Sequence, residues 1–205
     1  MLQSSWKRCW MGLHAQGDGL ALMQELLSAY AEPQRKYHTV QHLSECLALF
    51  DRHLDLAIEP GEVEISLWFH DAVYDVKASD NELKSAEWAE AELRKAGVSA
   101  DRIGRIRNHI HATRHSVLPE GQDQMLLVDI DLSILGAQRP RFMEYEEQVR
   151  AEYSWVPAPL FRSKRRAVLE EFLTRQPIYN TPRLREALEH QARENLAWSL
   201  QQLDG

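Results

Sequence analysis

Apolar residues recur at three- and four-residue steps along almost the whole chain, a period that predicts helices. Trp6, Trp10 and Leu13 share one helical face. After Gly17-Asp18-Gly19 a second helix is expected to carry Leu22, Met23, Leu26, Leu27 and Tyr30, with Pro33 ending it. Val40, Leu43, Leu47, Phe50 and Leu54 mark a third, of about four turns. Glu59-Pro60-Gly61 reads as a break, followed by a helix running from Glu62 through His70 and Asp71. Leu83, Ala86, Ala89 (or Glu90), Leu93 and Ala96 define the next, stopped by Gly97. Ser99 has the character of an N-cap ahead of Ile103, Ile106 and Ile110. Gln122 to Leu135 is apolar on most sides and reads as the most buried helix. Phe142, Tyr145 and Val149 mark another, and Leu160 to Leu173 follows. Thr181-Pro182 opens the last, with Pro at the first position, leading through Leu184, Leu188, Leu196, Leu200 and Leu203. No stretch alternates with period two. The expected fold is all-α, a single-domain helical bundle over residues 1–205 with about nine to eleven helices.

Composition narrows the function. With 44% hydrophobic and 27% charged residues in 205, the chain can bury a sizeable core. A net charge of -7 disfavours nucleic acid as the main partner. Cys9 and Cys46 are too few for a disulfide framework or a cysteine-based zinc site, and read as small buried residues in a cytoplasmic, reducing setting. The apolar stretch after Lys7 and Arg8 is broken by His14, Gln16 and Asp18, which is unlike a signal peptide. No apolar run approaches the ~20 residues that span a bilayer. The Trp6/Trp10 face and the C-terminal amphipathic helix can seal the core or form a homodimer contact.

The candidate chemistry begins at Phe69-His70-Asp71, an imidazole and a carboxylate closing the run Leu67-Trp68-Phe69. Burying either group alone is costly, and a divalent cation removes that cost by taking a lone pair from each. On a straight helix the two side chains diverge by ~100°, so they reach one ion only near the helix end. His38 and His42 can share a helical face and both bind metal, or His42 can bind while His38 faces substrate. Asp129 and Asp131 lie in the most apolar helix but point ~200° apart. Asp131 is the preferred ligand and Asp129 the fallback.

Taken in order, His42, His70-Asp71 and Asp131 resemble the H…HD…D signature of the HD-domain superfamily, the metal-dependent phosphohydrolases. The likeness extends to one branch of predicted phosphohydrolases through Tyr37-His38-x-x-x-His42, Phe69-His70-Asp71-x-x-Tyr74-Asp75, Asn81-Glu82-x-x-Ser85-Ala86, Asp129-x-Asp131-Leu132-x-Ile134-Leu135-Gly136 and Tyr145-x-x-x-Val149-Arg150-x-Glu152-Tyr153. It covers about residues 30 to 200, with a metal-site core at about 30–155 and flanking helices outside it. The resemblance implies an HD-type helical fold and a divalent cation on His42, His70, Asp71 and Asp131. It further implies hydrolysis of a phosphate ester or anhydride by metal-activated water. The nitrogen and oxygen donor set is compatible with manganese, cobalt, nickel, iron, zinc or magnesium. The partner would be a small phosphorylated metabolite or nucleotide. The alternative is a metal-bearing regulatory or binding protein of the same fold with little turnover.

The same likeness makes His38 the candidate general acid. Asp75, about one turn beyond Asp71, and Glu82 are candidates for orienting water, although Glu82 also suits an acidic first helical turn. Arg150 is the first candidate for gripping phosphate. Lys164 and Arg165 in the basic run Lys164-Arg165-Arg166, and Arg35, Lys36 and Arg114, are further candidates. Tyr74 can line the site or simply pack. His109, His111 and His115 can support a ligand carboxylate or contribute to a second ion.

Overall fold

The computed structural model describes residues 1–116 and 118–204. Those residues form ten α-helices and no strand: α1 Leu2–Gly12, α2 Leu20–Tyr30, α3 Val40–Asp51, α4 Pro60–Phe69, α5 Asn81–Lys95, α6 Ala100–Ala112, α7 Gln122–Asp131, α8 Arg139–Glu152, α9 Ala158–Thr174 and α10 Pro182–Asp204. The all-α expectation therefore holds. None of these helices is long and apolar enough to cross a membrane. The chain divides into two compact units, Met1–Asp131 and Leu132–Gly205.

The first unit is organised around α4. Every residue from Glu62 to Phe69 is buried, as expected of a helix that is apolar nearly all round. It packs against α1, α3, α5, α6 and α7. Glu59-Pro60-Gly61 does not break the chain; Pro60 opens α4, where its missing N–H has no partner to lose. Gly61 is required by a close approach, because a Cβ there would stand 3.2 Å from the Gly12 carbonyl carbon of α1. Two buried carboxylates on α4 are each gripped by one guanidinium edge, both carboxylate oxygens accepting. Glu62 accepts from Arg105 of α6 at 2.6 and 2.7 Å, and Glu64 from Arg8 of α1.

In the second unit a 3-10 turn, Leu132–Gly136, lies against α10. The expected helix from Gln122 to Leu135 is thus two elements, α-helical only to Asp131. The carbonyls beyond that point are taken by side chains. Tyr179 Oη donates to Leu132 O at 3.0 Å, and Asn195 Nδ2 donates to Leu135 O at 2.7 Å and Ala137 O at 2.8 Å.

Candidate metal centre

Three segments of the first unit deliver the predicted ligands to one place. Thr39 caps α3, its hydroxyl accepting from the Gln41 N–H at 3.3 Å. This sets the phase that turns His42, Cys46 and Phe50 to the buried face. The fourth helix ends at Phe69 with His70, still helical, as its C-cap, whereas the Asp71 N–H leaves the ladder for Tyr30 Oη, so Asp71 need not diverge from His70 as it would on a continuing helix. Asp131 is the last residue of α7.

The His42 and His70 Nε2 atoms are 3.1 Å apart. Asp131 Oδ1 lies 3.2 Å from the first and 3.4 Å from the second. Asp71 Oδ2 lies 3.5 and 3.0 Å from the same atoms. His70 Nδ1 is 2.8 Å from Leu67 O, so it donates there and leaves Nε2 facing the cluster to carry a proton or a cation. The side chains of His42 and His70 are 3% and 1% exposed, those of Asp71 and Asp131 18% and 12%, so the site opens on its carboxylate side. The ligand atoms of His42, His70 and Asp131 all lie within 4.8 Å of one another and could hold a metal ion.

Burial opposes charge on all four groups, yet each is held charged by its neighbours. His70 is raised well above the ordinary imidazole value against that penalty by Asp71, Tyr30 and Asp131. His42 is raised likewise, by Cys46 and Tyr37 and by hydrogen bonds to Asp131 and Asp71. Asp71 is held well below the ordinary carboxylate range by His70 and His38, and Asp131 by His70 and His115. Two nitrogen lone pairs and two carboxylates at these separations demand protons or a cation, and the donor set fits a divalent ion.

Asp129 is fully buried and is not among the residues that converge; Asp131 occupies the ligand position. His38 precedes α3, so it does not share a helical face with His42. Its half-buried ring nevertheless stacks on Tyr74 at 4.1 Å and lies 6.0 Å from the His42 ring. Asp75 is not a helical turn beyond Asp71. It is exposed in an irregular loop, where its carboxylate accepts from the Lys77 N–H at 2.9 Å. Glu82 is half-buried in the first turn of α5.

The cationic candidates divide. Arg35 is buried against main-chain carbonyls, and Lys36 donates to Pro33 O at 2.8 Å. Arg114 is exposed. Arg150, Lys164 and Arg165 belong to the second unit. There Arg150 donates to Tyr153 O at 2.6 Å and Val156 O at 3.2 Å beyond the end of α8. Arg165 is buried and pairs with Glu146 and with Tyr145 Oη at 2.9 Å, while Lys164 is exposed.

Of the three histidines on and after α6, His115 reaches the cluster, its Nε2 2.9 Å from Asp131 Oδ2. Its backbone is left-handed, φ 57, a conformation disfavoured for a residue with a side chain. His109 is buried and lowered from the ordinary value by that burial. His111 is half-buried on α6. No family model matches the chain, and no curated protein or solved structure matches it.

Proposed function

We propose that this chain is a metal-dependent phosphohydrolase of the HD type, cleaving an ester or anhydride of a small phosphorylated metabolite or nucleotide. The observation that supports it most is the convergence of His42, His70-Asp71 and Asp131, three segments far apart in sequence, into one nitrogen and oxygen donor set. These four residues would hold the cation. When bound, a divalent ion draws charge from a phosphoryl group and acidifies water, chemistry that a site of imidazoles and carboxylates alone lacks.

The chain's own residues complete the reading. His38, half-buried and stacked on Tyr74 beside the cluster, would hand a proton to the leaving oxygen. His115 holds the outer oxygen of Asp131, leaving Oδ1 for the cation. Glu82 remains the candidate for orienting water. The exposed Asp75 carboxylate is engaged with the main chain of its own loop and is the weaker candidate. The free, buried thiols of Cys9 and Cys46 suit a reducing compartment such as the cytoplasm.

The test is a screen of phosphomonoesters, cyclic nucleotides, nucleoside triphosphates and a bis-phosphate, each with manganese or cobalt. Cation-dependent release of phosphate, abolished in Asp71→Ala, is the expected result. A protein that binds the cation and turns over none of these classes would instead be a metal-bearing regulator.

A further inference from the structure

The guanidinium of Arg35 is the most enclosed cation near the cluster; the residue is 3% exposed. Its carboxylate partner is Glu32, 3.1 Å from Nε. Its remaining hydrogen bonds go to main-chain carbonyls. Nη1 donates to Asp71 O at 2.6 Å and to His38 O at 3.2 Å, and Nη2 donates to Ala72 O at 2.9 Å. The group also lies over the rings of Tyr30 and Tyr74, 5.3 and 5.5 Å from their centroids.

The Asp71 and Ala72 carbonyls sit just past the end of α4, where the chain has left the helix and its acceptors need outside donors. The Asp75 amide, which a continuing helix would aim at Asp71 O, donates to Asn81 Oδ1 instead. On its other side Asp71 donates its own N–H to Tyr30 Oη at 3.3 Å. Both polar groups of the Asp71 main chain are therefore held by side chains from α2 and the turn that follows it.

We infer that Arg35 is a positioning residue for the metal centre, fixing the Asp71 main chain beside the two imidazoles and tying it to the segment that carries His38. The inference rests on the cation-binding reading above. A planar fork reaches three carbonyls in two segments at once; a lysine ammonium keeps the charge but not that geometry. A direct phosphate contact would need the group to be open and its donors available, and it is neither.

The experiment measures manganese and cobalt affinity of the full chain by calorimetry, alongside urea unfolding. Arg35→Lys and Arg35→Gln should weaken cation binding by about 10–100-fold, the range seen when a ligand loses its support. Arg8→Ala, which disturbs α1 and α4 away from the centre, should lose stability while binding the cation as tightly as the wild type. In an Asp71→Asn background the Arg35→Gln change should add little further loss, because the two act through one group. If Arg35→Gln does not fold, Arg35→Lys decides the matter. Arg35→Lys, or a folded Arg35→Gln, with wild-type affinity overturns the inference and leaves the metal centre standing. A loss that is fully additive with Asp71→Asn overturns it too. A wild-type chain that takes up neither cation overturns the metal-centre reading, and the role of Arg35 falls with it.

Discussion

The Nε2 atoms of His42 and His70 face each other at 3.1 Å, a hydrogen-bonding distance between two atoms that are both acceptors in the neutral rings when Nδ1 carries the proton. The contact needs a proton or a cation held in common. His70→Ala and His42→Ala should each abolish stoichiometric cobalt uptake, read from the visible absorption of the cobalt-loaded protein, while the helical circular dichroism remains.

The electrostatics set how uptake depends on pH. Without a cation, the raised pKa values of His42 and His70 mean that a metal must displace protons from both rings. Cation affinity should therefore climb with pH and keep climbing above 6.5, the ordinary imidazole value. Calorimetry in buffers of different ionisation enthalpy would count the protons released.

The same shifts act on the stability of the cation-free protein. Folded-state values above the unfolded ones give a contribution that is complete below 6.5 and lost as pH rises through the raised values of the two imidazoles. Values below the unfolded ones give a contribution from Asp71 and Asp131 that is present above 3.8 and lost as pH falls through their depressed values. The cluster thus supports folding most between those limits. Added manganese should raise the melting temperature more at pH 8 than at pH 5.5.

His115 separates support of Asp131 from backbone conformation. Asparagine tolerates the left-handed backbone at this position better than most residues but places no imidazole on Asp131 Oδ2. His115→Asn should bind manganese about 10–100-fold more weakly with little change in the urea midpoint.

His38 is expected to matter for turnover and not for loading. His38→Ala should retain the cation and lose about 10²–10⁴-fold in rate, the range for a positioned acid. An unchanged rate removes His38 from the mechanism.

Arg8 tests the frame around α4. Removing it leaves the fully buried carboxylate of Glu64 without its cationic partner. Breaking such a pair costs about 3–5 kcal/mol when both groups are buried; Arg8 is 35% exposed and solvent screens it, so Arg8→Ala should cost about 1–3 kcal/mol in urea unfolding.

Much of the site was legible because its residues conflict with their surroundings. His70 and Asp71 close an apolar run, and Asp129 and Asp131 lie within another, so each advertised a missing partner in the sequence alone. The choice between Asp129 and Asp131 could not be read from periodicity, since both lie on a helix apolar nearly all round. It turns on where α7 stops, and side chains from α10 and the segment before it take the carbonyls beyond. Pro60-Gly61 looked like a break because both residues disfavour helix interiors, whereas here they begin one. Arg35 gave little warning: its partners are main-chain carbonyls, which leave no mark in a sequence. Asp75 looked one turn from Asp71 only on the premise that α4 continued.

The termination of α4 before His70 and of α7 on Asp131 places the carbonyl poles of two helices at the cluster, where helix dipoles favour positive charge. Both dipoles would help hold a cation there, and inorganic phosphate offered to the cation-free protein should bind poorly. If the cluster takes up a divalent ion, phosphate should therefore bind after the ion and not before it.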